Sequence, residues 1–272
     1  MNILVVAGEG VGNVIMVTPL IRYLKSKKHR VYLTIKPINY KDIYTLFENH
    51  KLIDGFYSPK QVYDNILVTW WGIYHGKGRI TKCKKNNPLL RSPYRGHEMS
   101  ENLAMAFDFG LNPKNFLNYL SPFINHKPIV DHHVNNKIIG IHAGCNPGPK
   151  WVGKKWPHYK KLIQELKNKD YKVALFGQGQ DEYIPNTDFD YFNKFNLLDT
   201  ARHMAGCDVF ISNDSGTMHM ASAIGIKHIG IFGGEGYKLM AKNNPNIYNK
   251  NSTVIGNYDI SKIKVSKILD LL

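Results

Sequence analysis

The stretch SNDSGTMHMASAIG, residues 212 to 225, places Asp214 at the end of an apolar run, with Ser215 and Gly216 in a tight turn and His219 one helical turn further on. The small residues that follow let a backbone approach a ligand closely. The same residues also suit a packed helix with a core histidine. Upstream, HAGCNPGPKWVGKKWPHY carries Lys150, Lys154 and Lys155 just before Pro157, a residue that favours the first helical position. Lysines beside a helix N-terminus suit a diphosphate, because charge and free N–H groups act on the same oxygens. In FGQGQDE, Asp181 or Glu182 is placed to accept hydrogen bonds from ribose hydroxyls, and a helix-capping acid would look the same.

The N-terminal loop GEGVGNVIMVTPLIRYLK follows another apolar run, with glycines at 8, 10 and 12. Asn13 stands where a dinucleotide-binding G-x-G-x-x-G pattern needs its third glycine, which disfavours a nicotinamide site. A flexible turn leading to a helix N-terminus remains, with Asn13 suited to cap it.

These loops need a frame that presents them together. Strand-like runs NILVVA, RVYLTI and DNILVTW, with helices at about 13 to 26, 40 to 49 and 97 to 109, fill the first half. The runs KIIGIH, YKVALF, DVFIS and HIGIF, each followed by a helix or glycine-rich loop, fill the second. Such alternation predicts an α/β chain with parallel sheets. Ligands then bind beyond the carboxyl ends of the strands, where all four loops lie. The polar segment NHKPIVDHHVNN separates the halves. The expected organisation is two Rossmann-like domains, 1–132 and 133–258, facing across a cleft, with 259–272 a helix returning towards the N-terminal domain.

Across 272 residues, 36 Lys and Arg oppose 21 Asp and Glu, a net charge of +15 that favours anionic partners. Residues 65 to 97 contain no acidic residue but carry Lys77, Arg79, Arg91 and Arg95 among their cations. The three cysteines are widely spaced, which argues against a disulfide framework or a zinc site. The absence of a long apolar run or basic leader predicts a cytoplasmic protein, in contact with the membrane face only peripherally.

In sequence order, the G-x-G-N-V-I-M-x-T-P-L segment, LFENHKLIDGFY, the HE-containing helix near residue 97, IGIHAG with KKWP, and LLDTARHMAGCDVFISNDSGTMHMASAIG resemble glycosyltransferase family 9. This is the heptosyltransferase family of lipopolysaccharide synthesis. The resemblance implies a GT-B fold and inverting sugar transfer from a nucleotide diphosphate donor to an anionic acceptor, with neither cofactor nor metal. By that likeness Lys154 contacts donor phosphate or sugar, and Asp214, Ser215, Gly216 and His219 line the donor pocket. Asp181 or Glu182 becomes the ribose partner. Gly12, Lys77, Arg79, Arg91 and Arg95 fall to the acceptor side.

Asn13 occupies the place of the family's general-base aspartate. An amide cannot take the acceptor's proton. Glu9, in the same loop, or Glu98 is then the candidate base, with Asn13 orienting the acceptor. Two other readings follow from the charge and from Asn13: transfer to hydroxylated bases of DNA, and a silent sugar-nucleotide binder.

Overall fold

The computed structural model describes residues 1–36, 41–69, 80–82, 98–129, 135–145, 148, 153–234, 237 and 251–272. They form two units, Met1–Asn125 and His126–Leu272. The division falls inside the polar linker, ahead of the 132/133 boundary expected from sequence. Ile129 already belongs to the second unit, since its N–H donates to the Arg202 carbonyl.

In chain order the first unit contains β1 (Asn2–Gly8), α1 (Val11–Ile15), α2 (Thr18–Ser26), β2 (Arg30–Lys36), α3 (Lys41–Thr45), β3 (Gly55–Phe56), β4 (Asn65–Val68), β5 (Ile80–Lys82) and α4 (Glu98–Ala104). Its parallel sheet runs β3-β2-β1-β4-β5. β1 is central, and its nearly unbroken apolar run is buried on both faces, as a strand covered by helices on each side requires.

The single helix expected over 13–26 is two helices. Pro19 has no N–H to give the Ile15 carbonyl four residues back, and the Thr18 hydroxyl donates to it instead (2.7 Å). The same hydroxyl accepts from Phe123 N–H (3.0 Å), and Asn102 Nδ2 donates to the Met16 carbonyl exposed by the break (3.4 Å). The helix expected over 97–109 is α4 followed by a 3-10 turn at Met105–Phe109.

The second unit contains β6 (Ile138–His142), α5 (Tyr159–Asn168), β7 (Lys172–Phe176), β8 (Phe189–Asp190), α6 (Leu197–Met204), β9 (Val209–Asn213), α7 (Gly216–Ile224), β10 (Lys227–Phe232), β11 (Ser252–Gly256) and α8 (Val265–Leu269). Its parallel sheet runs β11-β10-β9-β6-β7-β8. The buried residues Val265 and Ile268 of α8, with Ile260 and Ile263, join the second unit's core beside Trp156 and Leu162.

In each unit the chain builds the sheet outward in one direction and then crosses to extend it the other way. The order reverses between β1 and β4 in the first unit and between β6 and β9 in the second. Loops leaving the carboxyl ends of such neighbours diverge and leave a crevice. Among the described residues no helix is long and apolar enough to cross a membrane.

Candidate functional site

The reversal in the second unit brings the end of β6 against the end of β9, with His142 in register with Ser212. Asn213 closes β9 and is fully buried. Its Oδ1 accepts from Trp156 N–H (3.2 Å) and Tyr159 Oη (3.1 Å), while Nδ2 donates to the carbonyls of Ala143 (2.9 Å) and Gly144 (3.2 Å). One amide thereby ties the loop after β6, the KKWP segment and the start of α5 to the end of β9. Pro157 lies in the turn ahead of α5, which begins only at Tyr159 after the N-cap His158. Sequence reasoning missed Asn213. Its signal is an amide closing a wholly buried, mostly apolar strand, where an unpartnered polar group would be costly.

Next along the chain, Asp214 accepts from Lys154 Nζ at 2.5 Å, with the Asp214 side chain only 5% exposed and that of Lys154 19%. Ser215 is the N-cap of α7, but its hydroxyl pairs with that of Thr217 (2.9 Å) rather than with a backbone N–H. The leading N–H groups of α7, starting at Gly216, therefore lie next to the Lys154–Asp214 pair, and helix N-termini of this kind attract anions. One turn on, His219 is buried. Burial lowers its pKa to about 4, Lys154 adds to the effect and Asp214 opposes it, so the imidazole is neutral at pH 7. The structure thus brings Lys154, Asp214 and His219 together.

On the β6 side, Asp181 Oδ2 meets His142 Nε2 (3.1 Å) and accepts from Gln178 N–H (3.0 Å). The Asp181 side chain lies over Gly144, where a Cβ would fall 1.7 Å from Oδ1; only glycine leaves room for the carboxylate. Burial pushes the Asp181 pKa up, but the His142 bond and charge, the Gln178 N–H and Lys155 outweigh it and hold the carboxyl below its usual range. Glu182, the alternative left open by the sequence, is exposed. Cys145 joins this group as a buried thiol. Its pKa is raised by burial and by the charges of Asp181 and Asp214, against the pull of Lys155 and Lys154. One thiol thus feels both acids and both lysines. Among the described residues no group of three or more His, Cys, Asp and Glu side chains is placed to hold a metal ion.

In the first unit, the loop after β1 turns at Gly10, whose φ of 94° only glycine adopts readily. Gly10 is the N-cap of α1, and Gly12 and Asn13 lie inside the helix, so Asn13 does not cap it. The Asn13 side chain instead donates to the Glu9 carbonyl (2.5 Å), and the Glu9 side chain is exposed. Glu98 opens α4. Lys77, Arg79, Arg91 and Arg95 lie outside the described residues.

Residues 131–271 match the family model for glycosyltransferase family 9 (heptosyltransferase). The lipooligosaccharide heptosyltransferase 2 of Haemophilus influenzae is 29% identical over 177 residues, 55% of this chain and 48% of that protein. The chain thus spans about half the length of this curated relative. A crystal structure of a glycosyl transferase of family 9 from Veillonella parvula superposes with a TM-score of 0.73 over 99% of this chain and 95% of its own, at 16% identity. The E. coli ADP-heptose lps heptosyltransferase II gives 0.64 over 99% and 97%, at 15% identity. Likeness at these identities is a likeness of fold, and that fold is GT-B, with its two Rossmann-like units.

Proposed function

The chain belongs to glycosyltransferase family 9, and from that premise we propose that it transfers a heptose-like sugar from a nucleotide diphosphate donor to a phosphorylated lipopolysaccharide-core acceptor, with inversion. The observation that carries this reading is the Lys154–Asp214 pair set at the N-terminus of α7, where the strand order of the second sheet reverses.

Transfer breaks the bond between the anomeric carbon and the diphosphate oxygen while an acceptor hydroxyl bonds to the opposite face of that carbon. Negative charge grows on the leaving diphosphate. Lys154 Nζ and the N–H groups of α7 are fixed before the reaction and stabilise that charge without rearranging. Asp214 holds the ammonium in place, and the neutral imidazole of His219 is available to a sugar hydroxyl as a hydrogen-bonding group. Asp181, held low and turned inward by His142, or the exposed Glu182 binds the ribose.

The acceptor's proton goes to a carboxylate. Glu9 is our choice, because the Asn13 amide cannot take it and is already bonded to the Glu9 carbonyl. Binding of the anionic acceptor, at the cytoplasmic side of the membrane, is assigned to Gly12 and to the cations Lys77, Arg79, Arg91 and Arg95.

The test uses purified protein, ADP-heptose and a phosphorylated core oligosaccharide. ADP release matched by a product of inverted anomeric configuration is the expected result. A retained configuration would overturn the mechanism. Donor binding with neither transfer nor hydrolysis would make the protein a binder.

A further inference from the structure

Asn213 uses both lone pairs and both amide protons on protein partners, which is all that an asparagine side chain can offer. It is fully buried, so no hydrogen-bonding position is left for a substrate. A buried amide of this kind is favourable only when its network is complete, and a complete network fixes geometry. What it fixes here is specific. Asn213 is covalently next to Asp214, and through Trp156 N–H it anchors the segment that begins with Lys154. Both ends of the Lys154–Asp214 pair therefore depend on one amide. Through Ala143 and Gly144 it also anchors the loop over which Asp181 lies.

We propose that Asn213 is a positioning residue for donor binding, acting through Lys154 by holding the KKWP segment against the end of β9. The inference rests on the donor reading of this site. Asn213 touches no reacting atom, and its effect is transmitted by where it places the lysine. Tyr159 supports it from α5. Its buried hydroxyl donates to the same Oδ1, and burial raises its pKa well above the ordinary range, so it remains a donor at all working pH values.

The test is a double-mutant cycle on the dissociation constants of ADP and ADP-heptose, measured by calorimetry. Asn213→Ala is expected to weaken binding about tenfold, and the same change on a Lys154→Ala background by less than about twofold, because the lysine it positions is already gone. A purely structural role lowers the melting temperature but leaves the two losses additive.

If Asn213→Ala does not fold, Tyr159→Phe replaces it, removing one bond to Oδ1 with little change in shape. A loss of about threefold that vanishes on the Lys154→Ala background supports the proposal. Additive losses, or unchanged binding by folded variants, overturn it. Failure of the wild type to bind either ligand overturns the donor reading itself, and the proposal with it.

Discussion

Asn13 donates its side-chain amide to the main-chain carbonyl of Glu9, so this amide is engaged in closing its own loop. An ionised carboxylate at 13 has no proton to donate and would face that carbonyl with like charge. We therefore expect Asn13→Asp to lose about 1–2 kcal/mol of stability by urea unfolding and to gain no transfer activity. Glu9 contributes its carbonyl to the loop while its side chain is exposed. Glu9→Gln should stay within about 0.5 kcal/mol of wild type in stability and lose about 100-fold or more in turnover, with donor affinity unchanged. Wild-type turnover in Glu9→Gln would remove Glu9 from the chemistry.

Lys154→Met leaves Asp214 as a buried carboxylate without its cation. Breaking such a pair from one side costs about 3 kcal/mol, because the remaining charge is desolvated and uncompensated. Denaturant unfolding should show that loss, and ADP affinity should fall at least about tenfold as a charge-assisted contact to phosphate disappears. Unchanged affinity in the folded variant would mean that the ion pair is structural and that the phosphates bind elsewhere.

Much of this arrangement is legible in the chain. The runs around β1, β2, β6, β7, β9 and β10 are apolar and continuous, as strands covered on both faces must be. The two-residue strands β3 and β8 are not legible, since neither has a periodicity of its own. The break between α1 and α2 is hidden because the apolar pattern continues through Pro19. Lys154, Asp214 and His219 announce themselves by residue type and spacing. Asn213 and the His142–Asp181 pair do not: their roles depend on partners far away in sequence. The inward turn of the Asp181 carboxylate depends on the missing Cβ of Gly144, on another strand's loop.

Two buried histidines make stability depend on pH. Burial lowers both His219 and His228 to about 4, against the ordinary 6.5. The unfolded chain therefore binds protons that the folded one refuses. Their contribution is fully present above about pH 6.5 and is lost as pH falls towards about 4. The carboxyls of Asp54 and Asp181, held below their usual range, lose their contributions at still lower pH, in the same direction. Urea midpoints should fall steadily from about pH 6.5 to 4 with an unchanged m-value. His228→Asn should flatten part of that slope. A midpoint independent of pH over this range would show that neither imidazole is buried neutral.

Gly144 and Asp181 should behave as one unit. A Cβ at 144 would fall 1.7 Å from Asp181 Oδ1 and 2.2 Å from its carboxyl carbon, so alanine there must expel the carboxylate. Expulsion breaks the contacts to His142 Nε2 and Gln178 N–H and leaves a buried imidazole without its partner. We expect Gly144→Ala to destabilise by about 2 kcal/mol, within the usual cost of overpacking, and to weaken ADP-heptose binding. Asp181→Ala removes the obstruction. Gly144→Ala should then cost much less on the Asp181→Ala background, giving a coupling of about 1 kcal/mol or more, as residues in direct contact do. Strictly additive losses would mean that the loop after β6 relaxes away from Asp181 without strain, and that the glycine serves the turn rather than the carboxylate.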